Sequence, residues 1–96
     1  MIEIFNYKEV HKKPLKANFC IKIKKWKDFC IYNLTWFQTE NTSWITFPSM
    51  KYQKDGKDKY FPYCGYSEKE INEAFKAEIL KAVQEYASNN TGMNAL

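Results

Sequence analysis

Two lysine clusters set among aromatic residues are the parts of this chain that could do chemistry. Lys22, Lys24, Lys25 and Lys27 surround Trp26, and Lys51, Lys54, Lys57 and Lys59 stand among Tyr52 and Tyr60. Ammonium groups neutralise phosphates and an exposed aromatic face stacks an unpaired base, so the pattern points to nucleic acid. Each cluster also has a plainer reading: lysine on a strand edge blocks sheet-to-sheet aggregation, and lysine about a turn keeps it soluble. All 15 basic residues are lysine. A point charge without arginine's planar fork favours backbone contact over the reading of base edges.

Other chemistries find little support. The three cysteines form no Cys-x-x-Cys and the single His11 lies apart from them, so no metal site is expected. His11 has no nearby Cys or Ser for a triad, and Asp55 and Asp58 sit on a turn, not in an evident cleft. With three glycines and no glycine-rich phosphate loop, no nucleotide cofactor is expected. The expectation is a binding protein that is not an enzyme and carries no cofactor.

The elements that must position the lysines fit in one domain, since 96 residues support a single core. Seven Phe, seven Tyr and three Trp exclude a disordered chain despite the polar average. Charge is uneven: residues 1–60 hold 12 Lys against 6 acids, residues 61–96 hold 3 Lys against 5. A basic strand region beside an acidic helix attracts polyanions, nucleic acid first, then an acidic protein. No apolar run approaches the ~20 residues of a membrane span, and no leader pattern opens the sequence, so a cytoplasmic protein with no membrane partner is expected.

Residues 1–16 read as a short edge strand carrying Ile2, Ile4 and Phe5, then a loop. From Ala17 the alternation is regular, with Phe19, Ile21 and Ile23 on one face and Cys20, Lys22, Lys24 and Trp26 on the other. A turn at Lys27-Asp28 would pair Trp26 with Phe29 and Lys22 with Asn33, bringing Tyr32, Leu34 and Trp36 to the apolar face. That register sets Cys20 near Thr35 and Cys30 about 16 Å from Cys20. The opposite face, with Phe29, Ile31 and Phe37 among lysines, is too apolar to be simply solvated. It either receives a second subunit or offers aromatic platforms.

Ser43–Phe47 is the next strand, stopped by Pro48. Met50–Gln53 and Lys57–Phe61 flank Asp55-Gly56, a strong hairpin signal. Ser67 with Glu70 forms a capping box, and Ile71, Ala74, Phe75, Ile79, Ala82, Val83 and Tyr86 follow at helical spacing, Glu78 being the one charge on that stripe. Ser88–Gly92 should end the helix, leaving 89–96 as a loose tail. The predicted fold is α+β: an antiparallel sheet of four to five strands with one C-terminal amphipathic helix.

The order Trp44-Ile45-Thr46-Phe47-Pro48-Ser49, then Lys54-Asp55-Gly56-Lys57, then Ser67 through Tyr86 resembles the stage V sporulation protein G (SpoVG, septation regulator) family, over roughly Leu15 to Tyr86. The resemblance implies a bacterial or phage protein, a homodimer joined through strands, and binding to DNA or RNA with basic residues near the helix. Here the helix offers Lys69, then Lys76 and Lys81, against five glutamates in the same region. Either the contact moves to the sheet and hairpin lysines or this chain has lost it. The competing class is a protein-interaction module, such as a phage-type inhibitor, that docks on a host protein.

Overall fold

A computed structural model describes residues 2–94. Strands β1 (Ile2–Lys12), β2 (Leu15–Ile23), β3 (Phe29–Gln38) and β4 (Ser43–Thr46) form an antiparallel sheet in the order β1-β2-β3-β4. Strands β5 (Ser49–Lys54) and β6 (Lys57–Pro62) form a separate two-stranded hairpin, and helix α1 spans Lys69–Asn94. The fold is α+β, with the helix laid across one face of the sheet against β1 and β4.

Alternation fixes that face. Ala17, Phe19 and Ile21 of β2 are fully buried, joined by Leu34 and Trp36 of β3, Ile45 of β4 and Ile79 and Val83 of α1. Each large side chain sealed in this way contributes about 1.5–3 kcal/mol of transfer free energy. Trp36 buries its ring and still satisfies its indole, donating from Nε1 to Ser43 Oγ at 2.7 Å.

Four features differ from the expectations drawn from sequence. First, the β2–β3 connection is longer than two residues: Lys24–Trp26 form a 3-10 turn, and Lys27 and Asp28 follow with φ of 55° and 65°. Trp26 is therefore not on a strand, and Ile23, not Trp26, pairs with Phe29.

Second, β1 and β3 each carry a bulge at the same level of β2. One lies between the pairs Phe5↔Cys20 and Lys8↔Asn18, the other between Phe19↔Leu34 and Ile21↔Ile31. Asn6 (φ 50°) and Asn33 (φ 64°) take up the extra residue in the left-handed region, which Asn tolerates better than most. Each bulge reverses the in–out parity of its strand. Ile31 consequently packs toward the core while Tyr32, expected inside, is exposed, and the first strand runs on to Lys12 instead of ending after Phe5.

Third, the new register sets Cys30 opposite Lys22, two residues along from Cys20 instead of five; both thiols are free.

Fourth, the helix starts later and is rotated. Its first bond runs from Asn72 N–H to Glu68 C=O, so Glu68 and not Ser67 holds the N-cap position. Asn72 secures this end by accepting the Tyr66 N–H on Oδ1 at 2.9 Å. It lies so close to Gly65 (φ 150°) that a Cβ there would meet Oδ1 at 3.0 Å. Ile71, Ala74 and Glu78 are exposed, and the buried line runs through Phe75, Ile79 and Val83. The helix passes Ser88–Gly92 and reaches Asn94; the rest of the expected tail lies outside the described residues.

Candidate nucleic-acid interface

The β5–β6 hairpin is built by its turn. Asp55 (φ 55°) and Gly56 (φ 75°) give the two consecutive left-handed residues that match the strand twist, which closes the pair Lys54↔Lys57. Pairing then continues through Gln53↔Asp58, Tyr52↔Lys59, Lys51↔Tyr60 and Met50↔Phe61. Beyond the strands, Tyr63 N–H donates to Pro48 C=O at 2.8 Å.

Successive side chains leave a strand on opposite faces and cross-strand partners share one, so this register sorts the second lysine cluster into two sets. One face carries Lys51, Gln53, Asp58 and Tyr60. There Lys51 Nζ lies 3.2 Å from Asp58 Oδ2, and Gln53 donates to Asp58 Oδ1 at 3.4 Å, so the positive charge is largely compensated. The other face carries Met50, Tyr52, Lys54, Lys57, Lys59 and Phe61. None of these three lysines has a carboxylate within 4.0 Å among the described residues. Every residue of both strands is exposed.

The first cluster is dispersed. Lys22 stands on the sheet face away from the helix, its Nζ 5.7 Å from the centre of the Phe5 ring. Lys24 is paired twice, to Glu3 Oε1 at 3.1 Å and Asp28 Oδ1 at 3.7 Å. Its ammonium is held above the usual lysine range, first by the hydrogen bond to Glu3 and then by the Asp28 charge. Lys25 and Trp26 line a groove between the end of the sheet and the start of α1, together with Tyr66, Ile71 and Phe75. Lys27 follows in the turn, and Lys69 opens the helix two residues before Ile71. Of the twelve side chains singled out from sequence, Tyr52, Lys54, Lys57 and Lys59 thus share one face. Lys51 and Tyr60 share the opposite one, and Lys25 and Trp26 share the groove at the far end of the sheet.

Residues beyond those twelve join these surfaces, Phe37 among them from the outward face expected to receive a second subunit or offer aromatic platforms. Met50 and Phe61 complete the uncompensated hairpin face, and the pairing that Asp55-Gly56 dictates would have found them. Phe37 and Trp44 are cross-strand partners on the outward face of the sheet, with ring centres 5.3 Å apart and planes within 13°. Together with Tyr60 and Tyr63 they line a groove of about 640 Å³ where the hairpin leaves the sheet. A basic hollow of about 590 Å³, at the opposite end of the sheet from the β2–β3 turn, is lined by His11, Lys12, Lys13 and Lys16 with Glu40.

Among the described residues no three His, Cys, Asp or Glu side chains are grouped to hold a metal, and no helix is long and apolar enough to cross a membrane. Burial pushes the Cys64 thiol up, away from the reactive thiolate. No family model, no curated protein and no solved structure matches this chain, so the reading of these surfaces rests on their chemistry.

Proposed function

We propose that this chain is a small, non-enzymatic nucleic-acid-binding protein, regulatory and of bacterial or phage origin, that holds DNA or RNA through the β5–β6 hairpin. One observation carries the reading: Lys54, Lys57 and Lys59 share an exposed face with Tyr52 and Phe61, and among the described residues no carboxylate lies within 4.0 Å of them. Lysines there exchange counterions for phosphates, while the aromatic rings supply contact that does not depend on sequence. The resemblance to the SpoVG family supports the same reading, and with it a cytoplasmic homodimer. The end groove, where Trp26, Ile71 and Phe75 lie between Lys25 and Glu78, favours a second reading, in which the chain docks on a host protein.

The test is fluorescence anisotropy of labelled single-stranded DNA, double-stranded DNA and RNA at two salt concentrations. Binding should weaken steeply with salt. The Lys54→Gln/Lys57→Gln/Lys59→Gln variant should flatten the slope of log affinity against log salt by roughly 2 to 3, about one for each phosphate that the chain no longer neutralises. Absence of binding to all three at low salt would overturn the reading and leave the protein partner.

A further inference from the structure

We infer that the groove between the outward face of the sheet and the base of the hairpin receives an unpaired nucleobase, which makes single-stranded nucleic acid the preferred ligand. This rests on the nucleic-acid reading above and assigns it a second contact, distinct from the lysine face.

Parity places the aromatic floor. Trp36 and Ile45 are partners turned into the core, 4% and 2% exposed, so their neighbours Phe37 and Trp44 must stand on the opposite face. Among the described residues no layer covers them there. The two rings lie nearly parallel, and Trp44 is 38% exposed. Across the groove Tyr60 and Tyr63 are 66% and 68% exposed, far more than aromatic rings serving a core. The volume, about 640 Å³, lies within the roughly 300–1,000 Å³ of sites that engulf small aromatic ligands.

The chemistry of the walls selects the occupant. Between the rings the groove presents Asn33, Thr35, Thr46 and Ser49, and it holds neither a carboxylate nor a lysine. An uncharged planar ring with hydrogen-bonding edges satisfies both kinds of wall: it stacks on Trp44 and meets the amide and hydroxyls with its edge. Lysines flank the groove: Lys51 partners Tyr60 on the same hairpin face, where Asp58 shares its charge, and Lys59, next to Tyr60 on β6, leaves from the opposite face beside Lys54 and Lys57. Neutral ring inside and anion outside describes a nucleotide within a strand. A base in a duplex has both faces stacked and its edge paired, so only an unpaired one enters. A proline-rich peptide would also stack on the rings but would leave the lysines without an anion.

The experiment compares a labelled oligothymidine of roughly 15 nucleotides with a duplex of equal length, at low salt, against the intact 96-residue chain and four variants. Single strand should bind more tightly than duplex. Trp44→Leu and Tyr60→Leu should each weaken single-strand binding by about tenfold or more while leaving duplex binding unchanged, and Trp44→Phe should restore most of the loss. The Lys54→Gln/Lys57→Gln/Lys59→Gln variant should weaken both ligands. If Trp44→Leu is poorly folded by circular dichroism, Tyr60→Leu carries the comparison alone, since that ring lies outside the core. Three results overturn the inference. The ring variants could leave single-strand affinity intact while the lysine variant lowers it, in which case the hairpin reading survives alone. Trp44→Leu could turn a dimer into a monomer, which would make a second copy the occupant. Failure of every protein to bind either nucleic acid would remove the underlying reading as well.

Discussion

Strand β2 and strand β5 both place an apolar side chain at every second position, Phe19-Ile21-Ile23 in one and Met50-Tyr52 in the other. In β2 Phe19 and Ile21 are fully buried, whereas all of β5 and β6 is exposed. The difference lies in what covers them. Helix α1 lays Phe75, Ile79 and Val83 over the four-stranded sheet, and among the described residues no second layer lies over the hairpin. Alternation therefore announces a face, and only a second layer turns that face into a core. The hairpin's rings do no work in this chain's interior, which is why their company of lysines can be read as a surface with a ligand. A lone two-stranded ribbon is marginal in water, so its turn geometry and the Tyr63–Pro48 bond are what keep it formed.

The sharpest way to break this comparison is to remove one ring from each region. Phe19→Ala should cost about 3–5 kcal/mol in urea unfolding, the forfeited transfer energy plus a cavity. Phe61→Ala, from a ring 62% exposed, should cost less than about 0.5 kcal/mol. Comparable costs would mean that the hairpin is buried against something else in solution, a second copy being the first candidate, and that its aromatics are a core after all.

A smaller effect tests the bulges that decide which face is which. Asn33→Val places a β-branched residue at φ 64° and should cost about 1–3 kcal/mol, with Asn33→Gly close to neutral. A neutral Asn33→Val would mean that β3 can shed its bulge and return Tyr32 to the inner face. The same residue shows where the sequence is readable and where it is not. The class of fold, the inward set of β2, the inward Leu34 and Trp36, and the Asp55-Gly56 hairpin all follow from local rules of period and turn chemistry.

The bulges do not, because a parity break costs one Asn in the left-handed region and leaves composition unchanged. From Ile31 to Leu34 the spacing is odd, which is the only trace, and it can equally be read as Tyr32 inside. The β2–β3 connection failed for a related reason: Lys24–Trp26 has no turn residue to mark it, and Trp26 extends the alternation. For the candidate site, the same local rule that made the hairpin legible also contained the division of its lysines between two faces. What lay beyond the sequence was the compensation of Lys24 by Glu3, an ion pair across 21 positions, and the meeting of Tyr60 with Trp44 in one groove.

The smallest effect concerns a tyrosine beneath the helix set against one on the hairpin. Tyr7 packs on Tyr86 with ring centres 5.1 Å apart, and its hydroxyl is buried without a hydrogen-bond partner. Burial, then the Glu9 charge and then Tyr86, push its pKa from 10.0 up to about 12. Below pH 10 the hydroxyl is protonated folded or unfolded, so it adds no pH dependence. Between pH 10 and 12 the unfolded chain releases that proton while the folded chain retains it, so stability falls as pH rises. Tyr7→Phe should be neutral or stabilising by up to about 1 kcal/mol at pH 7, because it removes an unsatisfied buried group. It should also lose part of the alkaline decline seen in the parent. Tyr52→Phe, on the open hairpin, should change neither. The measure is the difference between the urea-unfolding profiles of the three proteins from pH 8 to 12, on the scale where Tyr7 itself titrates. If Tyr7→Phe and Tyr52→Phe gave the same profile, the Tyr7 hydroxyl would be reaching water, and the helix would cover the sheet less completely there than the contrast with the hairpin requires.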